Sequence, residues 1–116
     1  MRRFSLIQYV LACSISLFML TGPSLGMAAE SFPTHALRLV VPYAAGGGSD
    51  ILARLITWHM ATQLGQAIVV ENKPGASTII AADQVAKSTA DGYTMLLGTT
   101  NTFVVNPIMY KRLPYK

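Results

Sequence analysis

The residues best placed to do chemistry fall in three short stretches. Tyr43-Ala44-Ala45-Gly46-Gly47-Gly48-Ser49-Asp50 follows one apolar run, Asn72-Lys73-Pro74-Gly75-Ala76-Ser77 follows a second, and Gly98-Thr99-Thr100-Asn101-Thr102 follows a third. Glycines 46 to 48 remove the Cβ atoms that would keep a ligand off the backbone. Where such a stretch opens a helix, free N–H groups and the positive end of the dipole favour an anion. Each stretch also has a plain alternative: a tight turn at Gly46 to Gly48, capping by Ser49 and Asp50, and a polar loop at Thr99 to Thr102.

Other chemistries lack their residues. Gly46 and Gly48 could open a GxGxxG fingerprint, but Ile51 stands where the third glycine belongs, and no Lys-Ser/Thr pair completes a phosphate loop. His35 and His59 stand apart with no HExxH between them. Ser77 lacks the closing glycine of a nucleophile elbow. Asp50, Glu71, Asp83 and Asp91 form no pair with acid/base spacing. No catalytic residue, metal site or cofactor is therefore expected.

The elements that must carry these stretches alternate. "ALRLVVP" (36–42) reads as a strand stopped by Pro42, and "SDILARLITWHMATQLG" (49–65) as a helix with Leu52, Leu55, Ile56, Met60 and Leu64 on one stripe. "AIVVEN" (67–72) is a second strand, "GASTIIAADQVAKS" (75–88) a second helix, and "YTMLLGT" (93–99) a third strand entered through Asp91-Gly92. A short helix is expected around Phe103 to Tyr110. Gly48 or Ser49 is the expected N-cap of the first helix, with Asp50 in its first turn.

Strands that alternate with helices of this length predict right-handed crossovers and an α/β fold with a mainly parallel three-stranded sheet, order 2-1-3. In an open sheet of this kind ligands bind beyond the carboxyl ends of the strands, near the reversal of strand order. All three chemical stretches arrive there. Convergence raises the ligand reading to a par with the plain one.

The composition, 52% hydrophobic and 12% charged, is weighted by the N-terminus. Arg2-Arg3, the uncharged run Phe4 to Leu20 and the small-residue tail ending at Ala28-Ala29 read as a secretory signal peptide over residues 1–29. A retained anchor is the rival, because 17 residues lie at the lower limit for spanning a bilayer. Without residues 1–29 the chain loses Arg2, Arg3 and its one cysteine, Cys13, and keeps all five acidic residues, for a net charge of about +2. No dense Lys/Arg cluster remains to support nucleic-acid binding. Without disulfides, residues 30–116 must hold together by their core.

In order and spacing, "LRLVVPYAAGGGSDILARLI", "LGQAIVVENKPGAS", "DGYTMLLGTTNTFVVNP" and "YKRLPY" resemble the N-terminal part of the Bug family. These are the periplasmic substrate-binding receptors of tripartite tricarboxylate transporters. The resemblance covers nearly all of residues 32–116. It implies part of the first lobe of a type II periplasmic-binding-protein-like fold, which closes on a small organic acid and passes it to membrane permease subunits. By motif it implies ligand contacts at Tyr43, Gly46, Gly47, Ser49 and Asp50 in the first loop, Ala76 and Ser77 in the second, and Thr99, Thr100 and Asn101 in the third. Many relatives carry two glycines after "PGA" and another three residues later; here Ser77, Thr78 and Ala81 stand at those positions.

The expected function is thus that of a solute-binding receptor that does not alter its ligand. The competing expectation is a truncated, non-functional piece of such a receptor. An α/β enzyme domain ranks behind both, since it would need a nucleophile or cofactor site that these residues lack.

Overall fold

In the computed structural model, residues 31–115 are described; the expected signal peptide lies outside them. Strands β1 (Leu37–Val41), β2 (Ile68–Asn72) and β3 (Thr94–Leu96) form one sheet in the order β2-β1-β3. Both pairings are parallel, with Leu37 opposite Ile68 and Arg38 opposite Thr94. Single bonds extend the ladder past the strand ends, from Lys73 N–H to the Val41 carbonyl (2.8 Å) and from Leu97 N–H to the Val40 carbonyl (2.9 Å). The expected fold class and strand order are both present.

Helix α1 (Gly48–Leu64) joins β1 to β2, and α2 (Ile79–Ala86) joins β2 to β3. These crossovers run in opposite directions across the sheet, so right-handed connections put the helices on opposite faces. Leu39 and Val41 accordingly pack on Ala53 of α1, with Ile68, Val70, Met95 and Leu97 around them. On the other face Val40, with no exposed surface, lies beside Leu96, and α2 presents its buried Ala81 and Ala82 to β1 and β3.

Four boundaries differ from the sequence reading. The N-cap of α1 is Gly47, not Gly48 or Ser49, because the Gly47 carbonyl already accepts from Asp50 and Ile51 N–H at 3.0 Å. Asp50 does lie in the first turn, and Gly65, at φ 68°, caps the end with its N–H on the Ala61 carbonyl. The second helix starts at Ile79, since Ala76–Thr78 form a separate short turn with positive φ. The strand expected at 93–99 is regular only over 94–96. The last helix starts early: a wide π-type run, Asn101–Val105, leads into α3 (Asn106–Met109).

The stripe on α1 is a larger departure. Leu52, Leu55 and Ile56 are 51%, 56% and 41% exposed, while the buried residues of α1 are Asp50, Ala53 and Thr57. Small side chains at 53 and 57, one turn apart, let the helix axis come close to the sheet, and the bulkier stripe is rotated off that contact.

Candidate functional site

The three loops leave the sheet at the carboxyl ends of adjacent parallel strands, so the 2-1-3 order places the β1 loop between the other two. Gly46 stands at φ 81°, in the left-handed region, where glycine is at ease and most residues are strained. A Cβ at Gly46 would meet nothing within 4 Å, so what this position requires is backbone freedom and not space. Gly46, Gly47, Ala76, Ser77 and Thr100 are exposed; Tyr43, Ser49, Thr99 and Asn101 are half-buried. Part of each of the three loops is therefore exposed at this sheet edge.

Asp50 faces inward and is 3% exposed. Its Oδ2 accepts from Gly46 N–H (2.8 Å) and Arg54 Nε (3.0 Å), and its Oδ1 accepts from Asn72 Nδ2 (3.0 Å). The Arg54 bond, the Gly46 amide and the Asn72 amide together lower its pKa from the ordinary 3.8 to about 2, against the opposing effect of burial. Asn72 also donates to the Tyr43 carbonyl (3.1 Å) and accepts from Arg54 Nη2 (3.3 Å). The carboxylate thus ties the glycine loop to α1 and to the end of β2. On β2 itself the Glu71 carboxyl is held below its ordinary value, chiefly by the bond from Lys73.

A second network runs through hydroxyls. Tyr43 Oη donates to Thr99 Oγ1 (3.4 Å), Thr99 Oγ1 meets Thr102 Oγ1 (3.2 Å), and Thr102 Oγ1 meets Thr78 Oγ1 (2.9 Å). Asn106, with no exposed surface, continues it: its Nδ2 donates to the Ser77 carbonyl at 2.7 Å and lies 3.3 Å from Thr78 Oγ1. Tyr43 belongs to both networks, through its carbonyl and its hydroxyl. One residue of the first loop is therefore bonded, directly or through one partner, to each of the other two.

The second loop is the most strained part of the site. Ala76, Ser77 and Thr78 have φ of 43°, 51° and 76°. The left-handed region costs a residue with a Cβ about 1–2 kcal/mol. Ser77 is exposed, so Ser77→Gly forfeits no buried side-chain contact. We expect it to stabilise the chain by about 0.5–1 kcal/mol, the relief of strain less the entropy glycine loses on folding. Urea unfolding checks this; a lower midpoint would exclude it.

All three loops are legible in the sequence, whereas the roles of Asn72, Arg54, Thr78, Thr102 and Asn106 as their supports emerge only in the fold. The Asp50/Arg54 and Thr102/Asn106 spacings of four residues were visible signals. The histidines lie away from this edge: His35 stacks on Tyr93 before β1, with ring centroids 3.7 Å apart, and His59 abuts Trp58 on α1. Among the described residues no group of three His, Cys, Asp or Glu could hold a metal ion.

A three-stranded parallel sheet with helices on both faces and open loops at one edge is part of a lobe of a periplasmic-binding-protein fold, and the solved structures it resembles have that fold. Residues 52–116 match the family described as tripartite tricarboxylate transporter family receptor, and the chain belongs to this family. A UPF0065 protein of Bordetella pertussis is 42% identical over 116 residues, which is all of this chain and 34% of the relative. A periplasmic transporter of known structure is 48% identical with a TM-score of 0.71, over 73% of this chain and 29% of its own. Two Rhodopseudomonas palustris structures each have a TM-score of 0.69 over 73% of this chain. Rpa4515 with adipate is 42% identical and covered over 28% of its length; MatC with bound malate is 41% identical and covered over 29%. The chain thus spans about a third or less of the length of the proteins it matches.

Proposed function

We propose that these residues form the first jaw of a periplasmic solute-binding receptor that takes a small carboxylate, does not alter it, and delivers it to the permease subunits of a tripartite tricarboxylate transporter. The observation that carries the reading is the convergence of Gly46, Gly47, Ala76, Ser77 and Thr100, all exposed, at one edge of the parallel sheet. Family membership and the adipate and malate complexes of relatives support the ligand class. The contacts carried by the loops are Tyr43, Gly46, Gly47, Ser49, Ala76, Ser77, Thr99, Thr100 and Asn101. Asp50 serves them from beneath by holding the Gly46 amide. Residues 1–29 serve as the export signal.

Magnitudes limit what one jaw achieves. A helix N-terminus contributes about 0.3–1 kcal/mol to a bound anion, up to about 2 when partly buried, whereas micromolar affinity needs about 8 kcal/mol. The chain by itself is expected to bind malate and adipate with a Kd of about 1–10 mM. The test is a titration of the 15N-labelled chain with either diacid. Shifts confined to the amides of Gly46, Gly47, Ala76, Ser77 and Thr100, and absent with the matching uncharged diamides, support the reading. Equal shifts from the diamides, or none up to about 20 mM diacid, refute the carboxylate assignment. Micromolar binding by these residues alone refutes the need for a second jaw.

A further inference from the structure

The turn at Ala76-Ser77-Thr78 needs an external support. Residues with side chains visit the left-handed region singly, and here three do so in succession. Such a conformation persists only where its surroundings over-determine it. Within the turn, Thr78 N–H bonds the Gly75 carbonyl (3.0 Å) and Ile79 N–H bonds the Ala76 carbonyl.

The remaining hold comes from Thr102, whose Oγ1 lies 2.9 Å from Thr78 Oγ1, and from Asn106, 28 residues after Thr78, wholly buried and alone in reaching the Ser77 carbonyl among the described residues. Its Nδ2 donates to the Ser77 carbonyl at 2.7 Å, the shortest of its contacts, and lies 3.3 Å from Thr78 Oγ1. The amide is itself fixed, because Tyr115 Oη lies 3.2 Å from Nδ2 and donates to the Thr102 carbonyl at 2.8 Å. An acceptor at Ser77 demands a donor, so the amide is oriented with nitrogen towards the turn. Its Oδ1 is left buried without a hydrogen-bond partner among the described residues. Leaving a buried acceptor unmet is costly, and the side chain bears that cost while its nitrogen holds the turn.

We infer that Asn106 is a positioning residue: through the Ser77 carbonyl and the Thr78 hydroxyl it latches the left-handed turn of the second loop to the start of α3. Loops two and three then keep one relative geometry. This deepens the proposed ligand-binding role of Ser77, yet the latch is read without any ligand, so the two can fail separately.

The experiment is amide hydrogen exchange in the 15N-labelled chain. Thr78 and Ile79 report the turn, and Arg38 and Leu97, bonded to Tyr93 and Val40 carbonyls, report the sheet. Asn106→Ala and Asn106→Asp are each expected to speed the turn amides about tenfold more than the sheet amides. Adding Ser77→Gly, which reaches the left-handed region unaided, is expected to bring the turn amides back to within about threefold of the parent. If Asn106→Ala does not fold, recovery of folding in the Asn106→Ala/Ser77→Gly pair supports the latch, and no recovery overturns it. Unchanged turn amides, equal acceleration in turn and sheet, or acceleration that the glycine leaves in place also overturn it, and assign Asn106 to general packing.

Discussion

Ala53→Leu is expected to destabilise the chain by about 2–3 kcal/mol. Ala53 has no exposed surface and lies directly on Leu39 and Val41, so the added isobutyl group has nowhere to go except between α1 and the sheet. The helix must then lift, and the Asp50 carboxylate, which sits one turn earlier on the same face, lifts with it. The Gly46 amide loses its acceptor as a consequence. Urea unfolding reads the stability, and the Gly46 amide resonance reads the loop. Leu55→Ala, at a position 56% exposed, is the control and should stay within about 0.5 kcal/mol of the parent. A small effect at 53 together with a large one at 55 would mean that the stripe, and not the alanine, faces the sheet.

Acidification is expected to release the glycine loop through Asp50. Its folded pKa is about 2 against an ordinary 3.8, so between those values the unfolded chain binds the proton and the folded chain does not. The contribution is complete above 3.8, shrinks as pH falls, and is lost once pH passes about 2. Glu71 is lowered too, so the whole chain's acid response mixes both groups. Asp50→Asn separates them: the parent's unfolding midpoint should fall more steeply than the variant's below 3.8, and the two should run parallel above it. Identical slopes would show that the carboxylate is not bonded as described. Asp50→Ala is the harsher change, because Gly46 N–H loses its acceptor and Asn72 Nδ2 keeps only the Tyr43 carbonyl, while the half-exposed Arg54 turns to water.

Much of the architecture was legible because the signals are local. Pro42, Gly65 and Asp91-Gly92 punctuate the chain, and the β-branched runs between them, alternating with helices, give three parallel strands joined by right-handed crossovers. The location of the site followed from the strand order alone. Its supports did not, since Tyr43–Thr99 and Thr78–Thr102 join residues 56 and 24 positions apart. The α1 contact face was hidden because hydrophobicity marked Leu52, Leu55 and Ile56 while small volume at Ala53 and Thr57 decided the packing. The left-handed turn was hidden because serine and threonine carry no sign of positive φ.

The central place of β1 sets the pace at which the domain can form. Its partners arrive late, Ile68 31 residues after Leu37 and Thr94 56 residues after Arg38, and parallel pairing offers no hairpin to start from. Loop closure over those spans precedes any reward from the sheet, which makes assembly slow for a chain of this length. Until both partners dock, the run from Leu37 to Val41 presents two unsatisfied edges and the apolar side chains of Leu37, Leu39, Val40 and Val41. The strand that organises the ligand loops is, before folding, the segment most in need of a chaperone.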